Sequence, residues 1–176
     1  FAYFYSAMGT EVTLIEFMDR IVPVEDEDVS RELAKSFKKR GINVMTSSEV
    51  TAVDTKGAGV IATVKTAKGE EKIEADILLS AVGIVFNLEN IGLEGLGIKT
   101  EKGKVVVDEY YRTNVPGIYA IGDITSGPAL AHVASAEGII CVEKIKGVHT
   151  EPLNYGNIPG CTYCQPEIAS GGMTQK

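Results

Sequence analysis

From Phe1 to Val44 the chain alternates between helical and strand periodicity, and that alternation narrows the possible folds more than any other feature. Phe1 to Met8 sets apolar groups at helical spacing and stops at Gly9, a good C-cap. Glu11 to Phe17, with VTLIE at its centre, reads as a strand. Pro23 then precedes an acidic first turn, Glu25 to Asp28, and an amphipathic helix that carries Val29, Leu33 and Phe37 on one face and ends at Gly41. Ile42 to Val44 opens the next strand. Helix, strand, helix, strand in this order is the later part of a βαβ unit, so the fold class is α/β with a parallel sheet. The first strand and Gly-rich turn of such a unit are expected just ahead of Phe1, outside the chain, and a sheet without them leaves an exposed edge.

From Val50 to Ile73 the pattern changes to short alternating segments broken at Lys56-Gly57 and Lys68-Gly69, which predicts an antiparallel β-meander inserted in the α/β unit. Within it, Gly57 to Ala62 satisfies G-x-G-x-x-A. A true dinucleotide fingerprint opens a helix, whereas VIATVKT follows here, so the glycines mark a hairpin turn. Ala75 to Val82 is continuously apolar, as expected of a parallel strand buried on both faces. Asn87 to Gly97 reads as a linker and Lys104 to Asp108 as a strand.

Thr113 to Asp123, TNVPGIYAIGD, concentrates the chemistry. Ile118 to Ile121 suits a buried strand, Gly122 lets backbone approach a ligand closely, and Asp123 sits at the strand's carboxyl end, where open α/β sheets bind ligands. A carboxylate there can accept hydrogen bonds from sugar or ribityl hydroxyls. A helix beginning near Leu130 would offer free N–H groups and its positive dipole end to an electron-rich ring or a phosphate. At the other end of the chain Glu16 closes the second strand of the nucleotide unit, placed to bind both adenine-ribose hydroxyls. That position favours NAD over NADP, although nearby Arg20 could serve a 2′-phosphate.

The eleven residues of TNVPGIYAIGD resemble the second FAD-binding motif of the flavoprotein disulfide reductases, and the sequel GPALAHVASAEGIICVEKIKG is similar to the dihydrolipoamide dehydrogenase family, over essentially the whole chain. The resemblance implies that Asp123, following Gly122, holds the flavin ribityl chain, that Ala129, Leu130, Ala131 and His132 lie along the isoalloxazine, that Val50 touches adenine, and that Gly83 allows close backbone approach to the cofactor. It implies a Rossmann-like NAD-binding domain over 1–86 lacking its first strand, a linker and C-terminal FAD-domain segment over 87–149, and the start of an interface (dimerisation) domain over 150–176. The family oxidises protein-bound dihydrolipoamide with NAD through FAD and a redox disulfide, as a homodimer serving the lipoyl domains of 2-oxoacid dehydrogenase or glycine cleavage complexes. Its redox disulfide and His-Glu pair fall outside this chain, so the chain alone is expected to be catalytically incomplete, with no catalytic residue of its own. Two departures stand out: Ile84 to Asn87 lacks an Arg that many relatives carry, and Gln165 replaces a His before Pro-Glu. Another FAD/NAD(P) disulfide reductase, such as soluble transhydrogenase or mercuric reductase, and a non-catalytic nucleotide-binding or structural module remain the alternatives.

Composition narrows the remaining classes. Seventeen basic against twenty-four acidic residues give a net charge of −7, which argues against nucleic acid as a partner. No apolar run approaches a membrane span, and three cysteines suit a reducing compartment, so a cytoplasmic protein is expected. Cys161 and Cys164 have C-x-x-C spacing in a Pro-bounded stretch, where a structural or interface role is expected rather than a redox or metal site. Cys141 and His149 have no spacing that would complete a zinc site.

Overall fold

The computed structural model of the chain describes residues 1–55 and 57–175, and the expected turn residue Lys56 lies outside them. The chain divides into two compact units, one formed by Phe1–Ala81 and the segment from Pro159 on, the other by Val82–Ile158.

In the first unit α1 (Ala2–Ala7), β1 (Thr13–Ile15), α2 (Glu27–Lys39) and β2 (Asn43–Met45) follow one another as the periodicity predicts. β1 and β2 pair in parallel, Leu14 opposite Val44, and the ladder continues through Asn43 N–H to Val12 O at 2.9 Å and Glu16 N–H to Met45 O at 2.8 Å. Helix α2 starts with Glu27 and Asp28 and ends with Lys38 and Lys39, charges that complement its dipole. It stops because Gly41 turns the chain at φ +83°. Its inner face packs Leu33 and Phe37 against Ile21, Ile42 and Ile168, the core of the unit, and each such side chain contributes about 1.5–3 kcal/mol of transfer free energy.

Ile168 arrives on an antiparallel hairpin of the C-terminal segment. Gln165 fastens that segment: its side-chain oxygen accepts from the Tyr3 hydroxyl at 3.2 Å and from Arg40 Nη2 at 3.0 Å, and Ser36 Oγ donates to its carbonyl at 3.2 Å. The residue that departs from the family pattern is thus a structural tie to α1 and α2.

The meander forms as expected from β3 (Glu49–Asp54), β4 (Val60–Thr66) and β5 (Gly69–Ala75), antiparallel with β4 in the centre. Ala62 and Val64 of β4 are buried. Gly59 leads straight into β4, confirming a hairpin rather than a fingerprint, and a Cβ on it would fall 2.5 Å from Ala75 O, so this crossing admits only glycine. The apolar run from Ala75 to Val82 departs from expectation. Only Ala75 belongs to a strand, and Ile77 and Val82 are 84% and 97% exposed. Among the described residues β1 and β2 form a two-stranded sheet that does not reach this segment. An apolar run becomes a parallel strand only where neighbours supply hydrogen bonds and two covering faces.

In the second unit β6 (Thr100–Glu101) and β7 (Lys104–Val105) make a tight hairpin whose turn residues Lys102 and Gly103 both have positive φ, +50° and +75°. The strand expected over Lys104 to Asp108 is therefore short, because Asp108 Oδ1 accepts from the Tyr110 and Arg112 N–H groups at 2.9 Å and bends the chain. The buried strand expected at Ile118 to Ile121 is also corrected. It is extended backbone with a single bridge, Arg112 to Tyr119, and Ile121 is exposed. Pro116 and Gly117 fold it back antiparallel on residues 111–113, so it pairs on one side only. Helix α3 (Ala131–Lys146) turns Val133, Glu137 and Cys141 inward and ends at Gly147, φ +81°. In the C-terminal segment β8 (Gly160–Thr162) and β9 (Ile168–Ser170) pair antiparallel. No helix of the described residues is long and apolar enough to cross a membrane.

Candidate functional site

The second unit gathers six of the expected site residues around one turn. Gly122 opens a 3-10 turn, Gly122–Ile124, at φ +78°, a conformation that costs glycine little and a branched residue a great deal. A Cβ on Gly122 would meet Ala134 Cβ at 3.3 Å, and one on Gly138 would meet Ile121 Cδ1 at 3.2 Å, so helix and turn approach through small residues. Thr125, 1% exposed, closes the turn by donating its N–H and hydroxyl to Gly122 O at 2.9 and 2.8 Å. Asp123 is thereby pushed out of the protein: it is exposed, and among the described residues no donor reaches its carboxylate. Ala129 and Leu130 lead into α3, with Leu130 at the N-cap and Ala131 and His132 as the first helical residues, all exposed. Val133 and Ala134 N–H groups reach back to Leu130 O at 3.0 and 3.1 Å. The N–H groups of Ala131 and His132, having no intrahelical acceptor, remain to a ligand or water.

An exposed carboxylate beside free helix-start donors fits a cofactor that brings hydroxyl groups and an electron-rich ring together.

The first unit holds a separate pair. Glu16 closes β1, where its Oε1 accepts from Met18 N–H at 2.8 Å and its carbonyl from Ser48 N–H at 3.0 Å. Val50, in β3, is 39% exposed. Beside them lies a shallow cavity of about 250 Å³ lined by Phe17, Ser48, Lys65 and Thr66. Arg20 is committed elsewhere, donating from Nη2 to Pro23 O at 3.1 Å and pairing with Asp19 at 3.7 Å. Gly83 falls in the second unit, exposed and at φ +121°.

One group at the Gly122 turn carries no local signature. Glu137, on α3, is fully buried and accepts from Gly122 N–H at 2.5 Å and from the Tyr155 hydroxyl at 2.6 Å. Tyr155 keeps part of its ring in solvent but turns its hydroxyl inward, and burial, then the hydrogen bond to Glu137, pushes its pKa far above the ordinary value of 10.0. Burial likewise pushes up Tyr111, whose hydroxyl lies 3.4 Å from that of Tyr155. Cys141, one turn along α3 from Glu137, is raised by burial and by Asp108, with Arg112 opposing. Of the C-x-x-C pair, Cys161 is exposed and Cys164 donates its thiol to Pro166 O at 3.1 Å.

A parallel nucleotide-type unit with a meander insertion, joined in one chain to a Gly-Asp turn at a helix start, defines a pyridine nucleotide-linked flavin-binding class of fold. Residues 1–138 match the family described as pyridine nucleotide-disulphide oxidoreductase, and the chain belongs to that family. Its relatives include the dihydrolipoyl dehydrogenase of Rhizobium etli, 51% identical over 178 residues that cover 99% of this chain and 37% of the relative. The dihydrolipoyl dehydrogenase of Zymomonas mobilis is 46% identical, covering 100% of this chain and 38% of the relative. Among solved structures, LpdA from Mycobacterium tuberculosis superimposes with a TM-score of 0.89 at 32% identity, over 99% of this chain and 38% of that one. The HOCl-induced flavoprotein disulfide reductase RclA from Escherichia coli shares the fold, with a TM-score of 0.88 at 23% identity over 99% of this chain and 40% of that one. The chain thus spans 37–38% of the length of the dihydrolipoyl dehydrogenases it matches.

Proposed function

We propose that the chain is a cofactor-positioning segment of a dihydrolipoyl dehydrogenase, which oxidises protein-bound dihydrolipoamide with NAD through FAD and an enzyme disulfide. The observation that carries the reading is the exposed, unpartnered carboxylate of Asp123 on the Gly122 turn beside the free N–H groups of Ala131 and His132. Asp123, following Gly122, would accept hydrogen bonds from the ribityl hydroxyls of FAD, and Ala129, Leu130, Ala131 and His132 would lie along the isoalloxazine. The start of α3 would favour negative charge on the bound ring. When bound, FAD supplies electron transfer between a dithiol–disulfide couple and the nicotinamide.

Glu16 binds the adenine-ribose hydroxyls of NAD, Val50 packs on adenine and Gly83 permits backbone approach. The engagement of Arg20 by Pro23 and Asp19 supports NAD over NADP, because a 2′-phosphate beside Glu16 would meet a carboxylate without a compensating guanidinium. Residues 1–86 act as the NAD-binding portion, 87–149 as the linker and FAD-domain portion, and 150–176 as the start of an interface domain. The whole enzyme works in the cytoplasm as a homodimer on lipoyl domains of 2-oxoacid dehydrogenase or glycine cleavage complexes, and the segment by itself is inactive. The identity to dihydrolipoyl dehydrogenases supports this reading over other flavin disulfide reductases.

In the full-length enzyme, Asp123→Ala is expected to weaken FAD binding about tenfold or more, the scale of losing hydrogen bonds to a charged group. Visible flavin absorbance after desalting measures it, and unchanged retention would sink the assignment.

A further inference from the structure

Among the described residues Glu137 is the largest fully buried side chain, and its two oxygens hold groups that lie 15 and 18 residues away. One accepts from Gly122 N–H at 2.5 Å, the other from Tyr155 at 2.6 Å. Each phenol has one proton. Tyr155 gives its own to Glu137, so its contact with the Tyr111 hydroxyl at 3.4 Å is made with Tyr155 accepting. A donor chain therefore runs from Tyr111 through Tyr155 to Glu137. Gly127 completes the enclosure: a Cβ there would stand 2.7 Å from Tyr155 Cε1 and 2.8 Å from Glu137 Oε1, so any larger residue would have to displace one of these groups.

This arrangement acts on the residue next to Asp123. The Gly122 N–H belongs to the Ile121–Gly122 peptide, so its bond to Glu137 fixes the plane from which the left-handed Gly122, φ +78°, and the exposed Asp123 project. Glycine alone would sample several conformations at little cost, so the turn needs an external restraint to stay in one.

We propose that Glu137 is a positioning residue of the flavin site, fixing the Gly122–Asp123 turn through the Gly122 N–H, and that Tyr155 holds Glu137 in place. This rests on the reading of Asp123 as the ribityl-binding group. Through one hydroxyl on Glu137, Tyr155 thus bears on a turn 33 residues earlier in the chain.

The test uses the full-length flavoprotein with Tyr155→Phe, Glu137→Gln, Glu137→Ala and Asp123→Ala. For each, FAD affinity is titrated onto apoprotein, and the melting midpoint is compared with and without FAD. Tyr155→Phe removes one hydroxyl and is expected to weaken FAD binding about three- to tenfold. Glu137→Gln keeps an acceptor for Gly122 and is expected to recover part of what Glu137→Ala loses. In both, the stabilisation conferred by FAD shrinks; a merely structural role would lower the apo and holo midpoints together and leave affinity alone. Wild-type affinity in Tyr155→Phe and Glu137→Gln, with Asp123→Ala defective, would overturn the inference and leave the FAD reading intact. Wild-type affinity in Asp123→Ala would remove the FAD reading itself.

Discussion

Helices α2 and α3 are similar in length and differ in what holds them. Helix α2 is amphipathic, and its buried stripe, Leu33 and Phe37 with Ser30, meets an apolar core. Helix α3 is apolar nearly all round, with Ile139, Val142 and Ile145 exposed, and the centre of its buried stripe is a carboxylate. The first arrangement is non-directional and rewards area; the second is directional and rewards correct donors. The position of α2 rests on the former and the Gly122 turn on the latter, and only the latter fixes direction.

That contrast can be broken by substitution. The largest effect is expected for Phe37→Ala, which leaves a cavity under α2 and should cost about 3–5 kcal/mol. Native-state hydrogen exchange should show amides of β1, α2 and β2 losing protection, and equal loss at Gly122 would mean that the two regions are not held independently. Gly127→Ala is expected to cost about 1–3 kcal/mol by pressing on Tyr155 and Glu137, with the loss of protection now at Gly122 and the start of α3. An effect confined to α2 would contradict the directional account.

The smallest effect is a pH dependence. The Tyr155 phenol has a folded pKa raised above the ordinary 10.0, so its contribution to stability is fully present below about that pH and is lost as pH rises toward the folded value. Urea midpoints of the full-length protein measured at about pH 9 and about pH 11 should fall more in wild type than in Tyr155→Phe. Equal falls would show that Tyr155 is not the group responsible.

Much of the architecture was legible in short windows. The helix and strand order of the first unit, the meander, the hairpin nature of Gly57 to Ala62 and the turn at Gly122 all follow from local periodicity or glycine placement. Two strands were not. Ala75 to Val82 and Ile118 to Ile121 have strand composition, but a strand is completed by its neighbours, and the pairing actually available differed in each case. At the site, Asp123 stood out because it follows glycine at the end of an extended segment. Glu137 did not, since a Glu within a helix ordinarily faces solvent. Gln165 was noticed as a departure, yet its bonds to Tyr3 and Arg40 span 162 and 125 residues and no local pattern encodes them.

What the amino-acid order determined alone is whatever depends on residues within a few positions: where helices start and stop, which glycines bend the chain, and that a carboxylate follows the Gly122 turn. What only the tertiary structure decided is which groups restrain that carboxylate. The Gly122 N–H, Glu137 and Tyr155 are distant in the chain, and their hydrogen bonds exist because α3 and the segment after Thr150 bring three polar groups into one enclosure where each must be satisfied.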